Sequence, residues 1–540
     1  MAVYASLVLL ISLLNALQLV HAVNPLVNLG YAKYRGVQNP GGVTHWLGMR
    51  YAAPPLRHLR FAAPKDPLKE TKDQIADQHG LACLGTRVVP HKHTSEDCLF
   101  INVYAPSKAK PNAKLPVYFY IQGGGFNGLA GSKLNGTGII EASGMNVIVV
   151  TFNYRVGLYG FLAGKEIKEK ASLNNGLKDQ IKALEWVKAH INKFGGDPNH
   201  VTIGGNSAGA ASVYYLLTAF GGKSVNTFHA AAAGSPSFGT QLTVKESQYM
   251  YDNLVKNTKC NGKDSLACLR KMDAVNIQKL DKTYPLPGSN APPLFMYSPT
   301  IDGDLITDYT YRLIGAGKIK KVPTIFGSDT NEGTVFVPKK TKSFKESDDF
   351  LKNQFPALQQ KHLDKIHKLF PKTNDDFPDS GPFWRQASNA YGNMRYNCPS
   401  LALSLASSIW CNHEKAWHFH YDVDDPPSTK SGVGVGHTAE LPAIWGPVHG
   451  YGPQSYMRGG VDAPIVPLMQ SYWTSFIRSY DPNTHRAQGS PKWGTVLNKK
   501  GDRVLHNLYV KTGKTETRVI DKGQLTKCEY LIKVGVELKM

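Results

Sequence analysis

A serine lies at the centre of the run Gly204-Gly205-Asn206-Ser207-Ala208-Gly209-Ala210. Its inner five residues have the form G-x-S-x-G. The flanks suit a nucleophile held at a tight strand-to-helix turn. His200-Val201-Thr202-Ile203 reads as a short apolar strand, and Ala210 to Leu217 as the first turns of a buried helix. A serine at such a bend sits in strained backbone with its hydroxyl pushed out at the carboxyl edge of a sheet. Glycines two residues either side let neighbouring backbone pass close. The helix that follows turns free N–H groups and a positive dipole end toward any oxyanion formed there. In a glycine-rich chain most G-x-S-x-G matches are plain turns, and it is the flanking strand and helix that favour chemistry here.

Acyl transfer also needs donors for an oxyanion, a base and an acid to orient that base. Upstream, Leu115 to Ile121 (LPVYFYI) is an unbroken apolar run typical of a buried strand, ending in Gln122-Gly123-Gly124-Gly125-Phe126. Three successive glycines beyond a strand end can turn backbone N–H groups toward one point, which makes Gly124, Gly125 and Ala208 the candidate oxyanion donors. In hydrolases with this elbow the triad runs Ser, then Asp or Glu, then His. Composition alone does not choose among the later carboxylates and histidines.

The elements that must carry these groups belong to a chain of 540 residues with 42% apolar residues, enough for one large α/β domain or two to three smaller ones. Residues 1–22 read as a secretory signal peptide: an apolar stretch Leu7 to Val20, broken by Ser12, Asn15 and Gln18, precedes the small-residue site Val20-His21-Ala22. No Lys or Arg precedes that stretch, so only the amino terminus supplies its positive charge. No later segment resembles a transmembrane helix. Seven cysteines suit export, and their odd number leaves one unpaired in a monomer. Asn135-Gly136-Thr137 is a glycosylation sequon. The formal charge of +21 would suit acidic polymers, but the lysines are dispersed (107–114, 318–321, 339–345) and no nucleic-acid module accompanies them. Solvated surface charge is the better reading.

Taken together, the motifs resemble the type-B carboxylesterases, the cholinesterase and fungal lipase branch of the α/β-hydrolases. SEDCLFINVYAP (95–106) and VTIGGNSAGAAS (201–212) resemble the two family signatures. GMRYAAPPLRHLRF (48–61), VTFNYRVGLYGF (150–161), GSDTNEGTVF (327–336) and GVGHTAELPAIWG (434–446) follow in family order. The resemblance implies one α/β-hydrolase domain over 23–540, a large, mostly parallel sheet flanked by helices. It implies Glu332 as triad acid and His437 as base. Asp302 and Asp304, the rivals to Glu332, fall on a different strand end in the family pattern, and His418, His420 and His449 are the other histidines nearby. By the same resemblance Phe295 and Tyr297 line the acyl pocket, and Arg60–Glu96 and Arg155–Asp179 are structural ion pairs. The resemblance also implies that Cys83 pairs with Cys98 and Cys260 with Cys268. Cys398 pairs with Cys528, with Cys411–Cys528 as the alternative.

The implied activity is a secreted serine carboxylesterase working through an acyl-enzyme, with no cofactor or metal and with small ester substrates. Two departures bear on specificity. Asn206 stands where most members carry Glu, a change expected to tune rate or pH dependence. Only fourteen residues separate Cys83 from Cys98, none of them tryptophan. That loop is too short for a lipase lid and lacks the aromatic that holds a quaternary ammonium by cation–π attraction. Soluble or short-chain esters are therefore expected; a long-chain lipase and a non-catalytic, neuroligin-like binding protein are the alternatives.

Overall fold

The computed structural model describes residues 24–128, 134–223, 225–411, 413–498 and 504–540. The leader 1–22 lies outside them. Among the described residues, eleven strands form one sheet. Its parallel block runs Ile148–Phe152, Leu115–Ile121, Gly196–Asn206, Ala230–Gly234, Thr324–Asp329, Ala416–Tyr421 and His506–Val510. Antiparallel strands extend both margins: Phe100–Pro106, Val43–Arg50 and Val37–Gln38 on one side, Glu516–Val519 on the other.

Alternation explains why the central strands read as continuous apolar runs. Along Leu115–Ile121, Val117, Phe119 and Ile121 enter one apolar cluster, while Tyr118 and Tyr120 enter another on the opposite face. Both faces are dry because helices cover both, as parallel sheets require. Asn175–His190 and Ala208–Gly222 supply Leu177, Leu184, Val213 and Leu217 to the first cluster. Ile465–Ser479 supplies Met469, Trp473 and Phe476 to the second. The chain thus has the α/β-hydrolase fold expected from its motifs.

Two buried ion pairs brace the loops beside the sheet. Arg155 meets Asp179 through Nε at 2.8 Å and Nη2 at 2.7 Å. Arg60 holds both oxygens of Glu96 at 2.6 Å and donates to the Leu269 and Met272 carbonyls. Cys83–Cys98, Cys260–Cys268 and Cys398–Cys528 are bonded, and Cys411 is free. Among the described residues no helix is long and apolar enough to cross a membrane.

Candidate active site

Parallel strands end together, and the candidate residues collect at that carboxyl edge. Gly205 pairs with Ile121 and Asn206 with Gly234, so the glycine loop, the serine and the next strand end are neighbours. Ser207 has φ 59° and ψ −124°, a conformation that non-glycine residues avoid. Packing holds it there. A Cβ on Gly209 would lie 2.0 Å from the Ile121 carbonyl oxygen, and one on Gly205 would lie 2.6 Å from the Gly209 carbonyl carbon. Only glycine allows strand, elbow and helix to cross so closely.

The loop Gly123–Gly125 passes directly over the serine. A Cβ on Gly123 would stand 3.0 Å from Ser207 Cβ. Gly124 and Gly125 take φ values of 110° and 61°. Asn127 then clamps the loop: its Nδ2 donates to the Gly125 carbonyl at 2.7 Å and to the Tyr297 carbonyl at 2.6 Å. Sequence reasoning missed Asn127, which carries no motif signal beyond following the glycines.

Glu332 and His437 meet although 105 positions separate them. The cause is a backbone tie just outside the sheet. Asn331 N–H donates to the Val435 carbonyl at 2.8 Å, and Asn331 Oδ1 accepts from Val435 N–H at 3.0 Å. The next residues project together, placing His437 Nδ1 2.5 Å from Glu332 Oε2. The other Glu332 oxygen accepts from Asp329 N–H at 2.9 Å. His437 is packed between Tyr396, 4.4 Å away between ring centroids, and Phe336 at 5.0 Å. Its Nε2 is buried and has no protein partner. Ser207, Gly123, Gly124, Gly125, Phe295 and His437 line one cavity of 390 Å³.

The rival residues have other work. Asp302 caps its own turn, accepting from Asp304 and Ile306 N–H groups and from Asn174 Nδ2. His418 is bonded to Ser404 and His420 to Thr330; burial pushes His418 down to about 3 and His420 to about 4. His449 lines a separate 490 Å³ cavity with Asn135, whose Oδ1 accepts from Thr137 N–H. The two proposed acyl-pocket aromatics diverge. Phe295 lies against the glycine loop, so close that a Cβ on Gly125 would fall 2.1 Å from its ring. Tyr297 does not join it: the side chain is buried in the core and its hydroxyl donates to Asp281 at 2.7 Å. Tyr297 serves the site through its backbone, which holds Asn127.

A buried carboxylate cluster lies behind Glu332 and His437. Asn206 Nδ2 donates to Glu440 Oε1, and Ala439 N–H donates to Asp329 Oδ2 at 3.0 Å. Burial, with the Glu332 charge next, pushes Glu440 up to about 8. Burial and the neighbouring Glu440 hold Asp329 well above the usual carboxylate range. The pair therefore retains a proton at neutral pH, and Asn206 supplies it with a neutral donor. Among the described residues no group of three His, Cys, Asp or Glu is placed to hold a metal.

Comparison with known proteins bears on the family and the fold. A model of the carboxylesterase family matches residues 23–530. The cholinesterase of Mus musculus is 32% identical over 532 residues, 92% of this chain and 85% of its own length. Secreted lipase 4 of Gibberella zeae is 29% identical over 471 residues, covering 84% of this chain and 82% of the lipase. The crystal structure of Aspergillus niger EstA superposes with a TM-score of 0.91 at 37% identity, covering 96% of this chain and 99% of that one.

Proposed function

Because the chain belongs to the carboxylesterase family and is a carboxylic ester hydrolase of the serine esterase type, we propose that Ser207, His437 and Glu332 are its catalytic triad. The observation that carries this is the 2.5 Å contact between His437 and Glu332 beside a cavity shared with Ser207. His437 Nε2 takes the hydroxyl proton as Ser207 Oγ attacks the ester carbonyl. Glu332 fixes the imidazole tautomer through Nδ1–H and stabilises the imidazolium. N–H groups of Gly124, Gly125 and Ala208 bind the oxyanion. The C–O bond breaks, the alcohol leaves with the proton from His437, and water, deprotonated by the same nitrogen, releases the acid and regenerates Ser207.

The finer reading is a secreted, glycosylated esterase with one domain over 23–540 that acts on soluble, short-chain esters. The three disulfides and the sequon at Asn135 support export. The short loop between Cys83 and Cys98 supports an unlidded site, since none of residues 84–97 lines the serine cavity. The test is labelling by a fluorophosphonate probe together with turnover of p-nitrophenyl butyrate. The tryptic peptide bearing Ser207 should carry the label, and Ser207→Ala should lose about 10⁴- to 10⁶-fold in kcat. A folded Ser207→Ala protein retaining a tenth of wild-type turnover would identify another nucleophile.

A further inference from the structure

Four arginines among the described residues are buried, and three of them meet a carboxylate: Arg60 with Glu96, Arg155 with Asp179, and Arg385 with Asp375. Arg395 is the exception. It is 9% exposed, and the ionisable groups around it are the phenols of Tyr391, Tyr396 and Tyr214. No carboxylate pairs with it among the described residues. Nε donates to Ser237 Oγ at 2.9 Å, and the guanidinium carbon lies 5.4 Å from the Phe295 ring centroid and 6.0 Å from that of Tyr391. Burying a cation without a counter-charge is costly, and one neutral hydrogen bond and two ring faces offset that cost only in part.

Its position gives that cost a use. Arg395 sits in Asn393–Asn397, a wide π turn between the helices Trp384–Gly392 and Cys398–Cys411, and such turns recur at functional sites. Ser237, which holds the guanidinium, also donates its N–H to the Ser207 carbonyl at 3.3 Å. Arg395 is thus two contacts from the nucleophile, on the side of Phe295, and its Nη atoms stand beside Gly239, where a Cβ would lie 3.0 Å from Nη1. We propose that Arg395 recognises a carboxylate on the acid half of the ester, making hemi-esters of short dicarboxylic acids a substrate class. The guanidinium packs against Phe295, which itself lines the cavity shared with Ser207. The planar fork of arginine suits a terminal carboxylate in a way lysine does not.

The proposal rests on Ser207 as nucleophile, and its test separates the two. Turnover of monoethyl glutarate and ethyl pentanoate, two acids of equal chain length, is followed by pH-stat. Wild-type kcat/KM for the hemi-ester should equal or exceed one tenth of that for the neutral ester; a lower ratio overturns the proposal, since the carboxylate would then be entering a site with no partner for it. Arg395→Gln should lower the ratio about ten- to hundredfold, the range of a charge-assisted hydrogen bond, and Arg395→Lys should restore part of it. A purely structural arginine would slow both esters alike, and an unchanged ratio in Arg395→Gln overturns the proposal. If the variants do not fold, the wild-type ratio decides. Failure of the Ser207 reading has a different signature, ethyl pentanoate turnover that survives Ser207→Ala.

Discussion

Glu440 offers the sharpest quantitative test of the chemistry behind the triad. It is 0% exposed, its Oε1 accepts from Asn206, and its carboxyl is pushed up to about 8. In the unfolded chain the same group titrates near its ordinary 4.5. Between these values the unfolded chain releases a proton that the folded chain keeps. Stability linked to this group is therefore full below the unfolded value and is lost as pH rises toward the folded one. Over two and a half pH units, from about 5 to 7.5, the loss amounts to about 3 kcal/mol. A chain of 540 residues unfolds with roughly 1.1 kcal/mol per degree, so this corresponds to about 3 °C in Tm. Glu440→Gln keeps the shape, still accepts from Asn206 and offers an N–H toward Asp329, but cannot titrate. The Tm of the variant should therefore gain about 3 °C on wild type between pH 5 and 7.5. Differential scanning calorimetry of both proteins at one scan rate measures this. Parallel Tm curves for the two proteins across that interval would mean that Glu440 is already ionised in the fold, and the assignment of the retained proton to Glu440 would fail.

Three further outcomes follow from other parts of the molecule. Gly125→Ala should cut kcat by at least about 100-fold, because the new Cβ meets the Phe295 ring at 2.1 Å and displaces the oxyanion loop; adding Phe295→Ala should recover part of the rate, and a wild-type rate in the single variant would remove Gly125 from the oxyanion hole. Opening Cys398–Cys528, which spans 130 residues, by a double serine substitution should cost about 5 kcal/mol by loop entropy, against about 2.5 for Cys260–Cys268, which spans 8; equal losses in Tm would contradict that ordering. Rates on tributyrin should rise smoothly through its solubility limit and exceed those on triolein, whereas a jump at emulsion formation would place a lid elsewhere in the chain.

What the sequence made legible was what is local. The elbow is contiguous, so strand, bend and helix around Ser207 follow from the eighteen adjacent residues 200–217, and the strand ending at Ile121 follows from an unbroken apolar run. Glu332 and His437 carry no such signal. They meet because Asn331 is bonded to Val435, a long-range tie that only resemblance to a family could supply. Tyr297 shows the limit of that resemblance. Residues 295 and 297 belong to no strand, so period-two logic does not put their side chains on one face, and a hydroxyl partner at Asp281 draws Tyr297 into the core. Arg395 is equally silent in sequence, since an unpaired buried cation is recognised only once its surroundings are seen.

The choice between Cys398 and Cys411 shows how a single structural fact closes an alternative the sequence left open. Both cysteines lie on one helix, Cys398–Cys411, at opposite ends. Thirteen residues of helix separate them by about 20 Å, far beyond the reach of one disulfide partner. The helix Lys522–Val534 carries Cys528 to the Cys398 end, where the Cα atoms are 4.8 Å apart. At the far end Cys411 donates instead to the Lys320 carbonyl, and burial pushes its thiol up to about 11. A thiol so reluctant to ionise is a poor nucleophile for disulfide exchange. Cys411 therefore leaves the Cys398–Cys528 bridge unchallenged. Alkylation of the native protein by iodoacetamide at pH 8 should be slow at Cys411 and absent at Cys398 and Cys528; rapid labelling of Cys398 would reverse the assignment.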